Sequence, residues 1–223
     1  MERNDGSVNR RRGYDSSRRR QQALETRTAI LDGARSRFFT DGYASTTIAS
    51  IAEDAGVSVD TIYKTFGGKP GLVRVLCQRA LAGQGPLRAE DRSDDIQANE
   101  SDPQVIIREF GTLTREVAPR IYPILMLVRE AAAADPEMAQ LQHDIDRQRL
   151  ARMTHNARNL ANAGHLRRDV TVKHAAEIMW TYSSPELYQL LVVSRGWSLK
   201  RFCGFIADAM IAALLPPSRS ENE

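Results

Sequence analysis

The chain has 223 residues, 42% of them hydrophobic and 26% charged, with a formal net charge of +3. That apolar share is enough for a core and excludes wholesale disorder, while the absence of any run of about 18 apolar residues excludes a membrane-spanning helix. Met1–Arg20 has no apolar stretch and so no secretory signal; the distant Cys77 and Cys203 suggest no disulfide scaffold, and a reducing cytoplasm is expected.

The charge is unevenly spread. Residues 1–83 carry 14 Lys/Arg against 9 Asp/Glu, and residues 84–223 carry 17 against 19. In chain order, residues 1–24 come first, with Arg3, Arg10, Arg11, Arg12, Arg18, Arg19 and Arg20 set among Gly, Ser and Asn. This composition predicts a basic arm without structure of its own. Either it solubilises the chain, or arginines such as Arg18, Arg19 and Arg20 lie along DNA phosphates.

Thr26–Thr40 reads as the first helix, with Ile30, Leu31, Ala34 and Phe38 at helical spacing and Asp41-Gly42 as its stop. Ser45-Thr46-Thr47 offers a cap to Ile48–Ala55, Gly56 ends that helix, and Ser58 caps Val59–Phe66, whose Ile62 and Phe66 face inward. Gly67-Gly68 breaks the chain again, and Pro70 suits the first turn of a helix running to about Leu81. Residues 25–83 therefore form a first domain of three to four helices.

Gln84–Pro103 is polar and acidic, a loop or irregular short helix that marks the domain boundary. Apolar periodicity returns over 104–118, 121–133, 136–163, 172–195 and 198–215, punctuated by Pro119, Asp135-Pro136, Gly164 and Gly196. Ser184-Pro185-Glu186 kinks or splits the 172–195 stretch. Residues 84–216 make a second domain and 217–223 a disordered tail. No alternating strand pattern and no repeat is present, so the fold class is all-α.

Two short helices joined by Ala55-Gly56-Val57 match a helix-turn-helix, in which glycine permits the sharp turn and the second helix presents its N-terminal residues to base edges. Thr47 would offer its hydroxyl to a phosphate; Ser58 is a cap or a phosphate contact. Val59 and Thr61 would touch base edges, and Lys64 and Lys69 phosphates. Tyr63 is a phosphate contact or packs within the domain. Asp60 either accepts from a cytosine amino group or supports the helix N-terminus.

The stretch Thr28–Leu81 resembles the tetracycline-repressor-like (TetR-type) transcriptional regulators. Ala29, Ile30, Ala34, Phe38, Gly42, Tyr43, Thr46-Thr47, Ile51-Ala52, Ala55-Gly56-Val57-Ser58, Thr61, Tyr63, Phe66, Lys69 and Leu72 stand where that family's motif has such residues. Asp60, Thr65 and Gly67-Gly68-Lys69-Pro70 depart from its commonest wording. The resemblance implies a homodimer joined through the last two helices, operator DNA as partner and a small-molecule effector in the second domain. It implies a repressor of a pseudo-palindromic operator, with activation or dual regulation as the alternative.

Candidate effector-pocket residues are Phe110, Leu113, Ile121, Tyr122, Leu125, Met126, Met153 and Trp180, each of which plain core packing would also explain. Arg129 would meet an anionic group or else form an ion pair. An enzyme is a remote alternative, since His143, His155, His165 and His174 form no metal signature and no nucleophile or phosphate-loop motif occurs. No metal or cofactor is expected.

Overall fold

The computed structural model describes residues 6–82 and 87–217, with side chains from residue 17 onward. In these residues the elements are α1 (Gly6–Thr40), α2 (Ile48–Asp54), α3 (Val59–Phe66), α4 (Lys69–Ala82) and α5 (Ala89–Asn99). There follow α6 (Pro103–Ala132), α7 (Pro136–Asn162), α8 (Val172–Tyr182), α9 (Pro185–Tyr188), a π-helical turn over Gln189–Ser194 and α10 (Leu199–Leu214). No strand occurs among the described residues, and no helix there is long and apolar enough to cross a membrane. The fold is all-α.

The chain divides into two units, Met1–Leu76 and Cys77–Glu223. The division falls within α4, ahead of the composition change at Gln84; residues 83–86 lie outside the described residues. A continuous helix leaves no mark of such a division in composition.

In the first unit, Ile30, Leu31, Ala34 and Phe38 of α1 are buried with Ile48, Ile51 and Ala52 of α2, Ile62 and Phe66 of α3, and Leu72, Val73 and Leu76 of α4. Burying one such large side chain contributes about 1.5–3 kcal/mol, so this small core holds four helices together.

The arm corrects an expectation. α1 begins at Gly6, not Thr26, so residues 6–24 are helical where no structure of their own was expected; residues 1–5 lie outside the described residues. Residues 17–25 are all exposed, so burial does not hold them. Arg, Gln, Ala and Glu are good helix formers, and extending a helix is far easier than nucleating one. Gln21 Nε2 adds a one-turn bond to Glu25 Oε1 at 2.9 Å.

In the second unit α5 is a regular helix where a loop or irregular short helix was expected. Arg152 Nη2 donates to Asp94 Oδ1 at 2.7 Å and Gln97 Nε2 to Asn156 Oδ1 at 3.2 Å, tying α5 to α7. A second correction concerns Pro119, expected to separate two helices. It lies with Pro123 inside a continuous 30-residue α6. An interior proline costs about 3 kcal/mol through its lost hydrogen bond and ring clash. Burial of Ala118, Ile121, Tyr122, Ile124, Leu127 and Val128 on either side offsets that and keeps the axis unbroken.

Asp135 Oδ1 accepts from Glu137 N at 2.9 Å and Met138 N at 3.2 Å, capping α7 and reversing the chain after α6. α10 lies so close to α6 that a Cβ on Gly111 would stand 3.2 Å from the Cys203 carbonyl oxygen. The split at Ser184-Pro185 is observed, with Ser184 before α9 and Pro185 in its first turn. The expected tail falls at residue 217 and beyond it outside the described residues.

Candidate nucleic-acid interface

Local chemistry builds the helix-turn-helix. Thr47 Oγ1 accepts from Ser50 N at 3.1 Å to start α2, and buried Thr46 donates its hydroxyl to Gly42 O at 2.8 Å. At the turn Gly56 has φ of 63°, a left-handed conformation that costs glycine nothing, and Val57 N donates to Ala52 O at 3.0 Å. Ser58 Oγ accepts from Thr61 N at 3.1 Å and lies 2.9 Å from Thr61 Oγ1. Ser58 is therefore the cap, and the Thr61 hydroxyl is turned toward it.

α3 separates two faces. Ile62 and Phe66 are buried, whereas Val59, Asp60, Tyr63 and Lys64 are exposed. Asp60 and Lys64 form an ion pair one turn apart, at 2.7 Å. Tyr63, for which packing was the rival reading, is 54% exposed, although its ring passes Gly68 closely.

Lys69 sits elsewhere than a bare phosphate contact would. Its Nζ donates to Tyr43 O at 2.7 Å and lies 4.2 Å from the centre of the Tyr43 ring. Tyr43 is itself buried against Phe38, with ring centres 5.5 Å apart. Lys69 thus fixes the turn between α1 and α2.

Three residues that sequence reasoning missed frame the reader. Arg37 donates to Asp54 through Nε at 2.6 Å and Nη2 at 2.8 Å, binding α1 to the end of α2. That guanidinium, chiefly through its hydrogen bond, holds the Asp54 carboxyl below its ordinary value. Arg27 lies over the Phe66 ring, 4.8 Å from its centre, tying α1 to the end of α3. Arg37 and Asp54 stand 17 positions apart, too far for a local signal. Arg18, Arg19 and Arg20 are exposed on α1, about 10–14 Å beyond Arg27 at 1.5 Å per residue.

In the second unit a narrow cleft of about 20 Å³ lies between α6, α7 and α9, lined by Leu125, Val128, Arg129, Gln142, Ile145, Asp146, Arg149, Pro185 and Glu186. Of the nine candidate effector residues it brings together only Leu125 and Arg129. Ile121 and Tyr122 are buried in the core, and Phe110, Leu113, Met126, Met153 and Trp180 are half-buried without lining this cleft. Arg129 pairs with Glu186. A wider groove of about 370 Å³ shares Arg129, Gln142 and Asp146.

Arg149 is the polar centre beside the cleft. It donates to Trp180 O at 2.9 Å and Ser183 Oγ at 3.4 Å, and its guanidinium stacks 4.4 Å from the Trp180 ring centre. Burial shifts its pKa downward, against the pull of Asp146. Nearby, burial pushes the Tyr122 hydroxyl well above its usual range.

The family model "Bacterial regulatory proteins, tetR family" matches residues 30–76, from the core of α1 through the helix-turn-helix into α4. The probable HTH-type transcriptional regulator ArpR of Pseudomonas putida is 28% identical over 171 residues, covering 74% of this chain and 80% of its own. Over residues 30–76 the chain is thus similar to the DNA-binding domain of TetR-type transcriptional regulators. AcrR of Shigella flexneri, another HTH-type transcriptional regulator, is 28% identical to it over 189 residues, covering 82% of this chain and 86% of its own. The fold of the chain is also that of SmeT in its triclosan complex, at a TM-score of 0.67 and 21% identity, over 86% of this chain and 93% of that one. The relatives that the chain matches over most of its length are transcriptional regulators.

Proposed function

We propose that the regulator acts in the cytoplasm as a homodimeric repressor whose α3 helices enter successive major grooves of a pseudo-palindromic operator, about 34–36 Å apart. The observation that carries this is the two-faced α3: a buried Ile62–Phe66 edge seats it, and Val59, Asp60, Tyr63 and Lys64 are left for DNA. Thr47 and the first N–H groups of α2 face a phosphate, as does Tyr63 on the flank, and Lys64 adds its positive charge to the DNA-facing side. Ser58 and Thr61 hold the start of α3 in place, and Lys69 fixes the adjoining corner. Arg18, Arg19 and Arg20 on the extended α1 add further phosphate contacts.

An effector in the second unit releases the operator. The cleft beside Arg149 and the groove sharing its lining are the candidate entrance, and the triclosan bound by the structurally similar SmeT supports a small organic molecule there. Footprinting the purified protein on DNA upstream of its own and neighbouring genes tests the proposal. A protected two-fold symmetric site is expected; uniform, sequence-indifferent protection would overturn it.

A further inference from the structure

α3 carries a carboxylate on the face proposed to meet base edges, where DNA would ordinarily repel it. The Asp60 side chain is 70% exposed. The capping bond of α3 is already made by Ser58, whose Oγ accepts from Thr61 N at 3.1 Å, which leaves Asp60 in the first turn only the weak, solvent-screened attraction of the helix end. Asp60 instead reaches forward to Lys64, also exposed, so that a carboxylate oxygen and an ammonium nitrogen stand 2.7 Å apart on the outer face. Opposing phosphates repel an unmet carboxylate, so it lowers affinity for every DNA that does not supply a hydrogen-bond donor.

In the major groove, donors to meet it are few. Only the cytosine N4 and adenine N6 amino groups donate, and adenine sets its N7 acceptor beside N6, opposite the thymine O4 acceptor. Both would repel a carboxylate. A C·G pair is different: the cytosine amino group stands about 3 Å from guanine O6, to which it is hydrogen-bonded, with guanine N7 close by. One donor beside acceptors is the complement of one carboxylate beside one ammonium.

We propose that Asp60 and Lys64 act as a unit that reads a C·G pair in each operator half-site, Asp60 accepting from cytosine N4 and Lys64 donating to guanine O6 or N7. Asp60 is then a specificity residue that works largely by rejecting other pairs. This rests on the reading of α3 as the helix that enters the groove.

The experiment selects DNA from a randomised duplex library with the full-length protein and with Asp60→Ala and Asp60→Asn, and sequences the bound fractions. The wild type is expected to enrich a symmetric site with one C·G position per half that Asp60→Ala no longer distinguishes, all other positions being kept. Asp60→Asn is expected to move that position toward A·T, since an amide pairs with adenine N6 and N7. Replacing the C·G pair should weaken the wild type about 5- to 150-fold, the usual effect of one mismatched pair, and Asp60→Ala less than about threefold. Thermal melting checks that these surface variants fold alike. Identical enriched sites for wild type and Asp60→Ala would overturn the assignment of Asp60 alone. A wild type that enriches no sequence would overturn the groove-reading helix beneath it, and this proposal with it.

Discussion

Asp54 shows how one carboxylate couples the reader to its support. Its folded pKa lies below the ordinary 3.8 because Arg37 binds the charged form. The pair therefore stabilises the fold above that value, and the contribution is lost as pH falls through the lowered folded pKa. Asp54→Asn should melt earlier than wild type at neutral pH, and the gap should close progressively below about pH 4, followed by circular dichroism. Lys64 belongs to the same scale. If it meets DNA, Lys64→Ala should weaken binding and reduce the slope of log affinity against log salt by about 1, measured by titration at several salt concentrations. An unchanged slope would show that Lys64 neutralises no phosphate.

Elements are held by fewer groups than their length suggests. α3 and α4 are joined by Gly67 and Gly68, both at positive φ, and a Cβ on Gly71 would collide with the Phe66 carbonyl oxygen. Gly71→Ala should therefore cost about 1–3 kcal/mol in urea unfolding by forcing this turn apart, despite alanine's better helix propensity. In the second unit, Arg149 closes the end of α8. Its side chain is 15% exposed, and it satisfies the Trp180 carbonyl while stacking on that residue's ring. Arg149→Met keeps much of the packing volume but leaves the Trp180 carbonyl to the Ser183 hydroxyl alone, 3.1 Å away, and a loss of about 1 kcal/mol in the same assay is expected. An unaltered unfolding midpoint would show that water replaces the guanidinium.

At the scale of the whole molecule, the proposed function requires two α3 helices held at a fixed spacing. Leu190 and Val193 on the π-helical turn are exposed, and Phe205 on α10 is 42% exposed with its ring edge-on to Trp197 at 5.6 Å. Arg201 lies 3.8 Å over the Trp197 ring and braces that corner. Apolar groups left outward on these two neighbouring segments support a second copy as their partner. Leu190→Glu combined with Phe205→Glu should give a monomer in sedimentation equilibrium and reduce operator affinity at least tenfold, while the melting temperature stays near that of the wild type. A dimer that survives both changes would place the interface elsewhere.

Much of this protein is determined by local chemistry and was legible in its sequence. The caps at Thr47 and Ser58, the glycine turn at Gly56, the Asp135-Pro136 break and the 3.6-residue periodicity of Ile30–Phe38 each act within a few residues, so the helix-turn-helix and the all-α class follow directly. The start of α1 carried no such signal, and its arginine-rich composition read as chain without structure of its own. Tertiary structure decided what depends on distant partners: the Arg37–Asp54 clamp, Lys69 on Tyr43, Arg149 at the end of α8 and the unbroken passage of α6 through Pro119. The physical reason is range. Capping and periodicity act over a turn or two of helix, whereas burial and long-range ion pairing depend on which side chains the packed helices bring together.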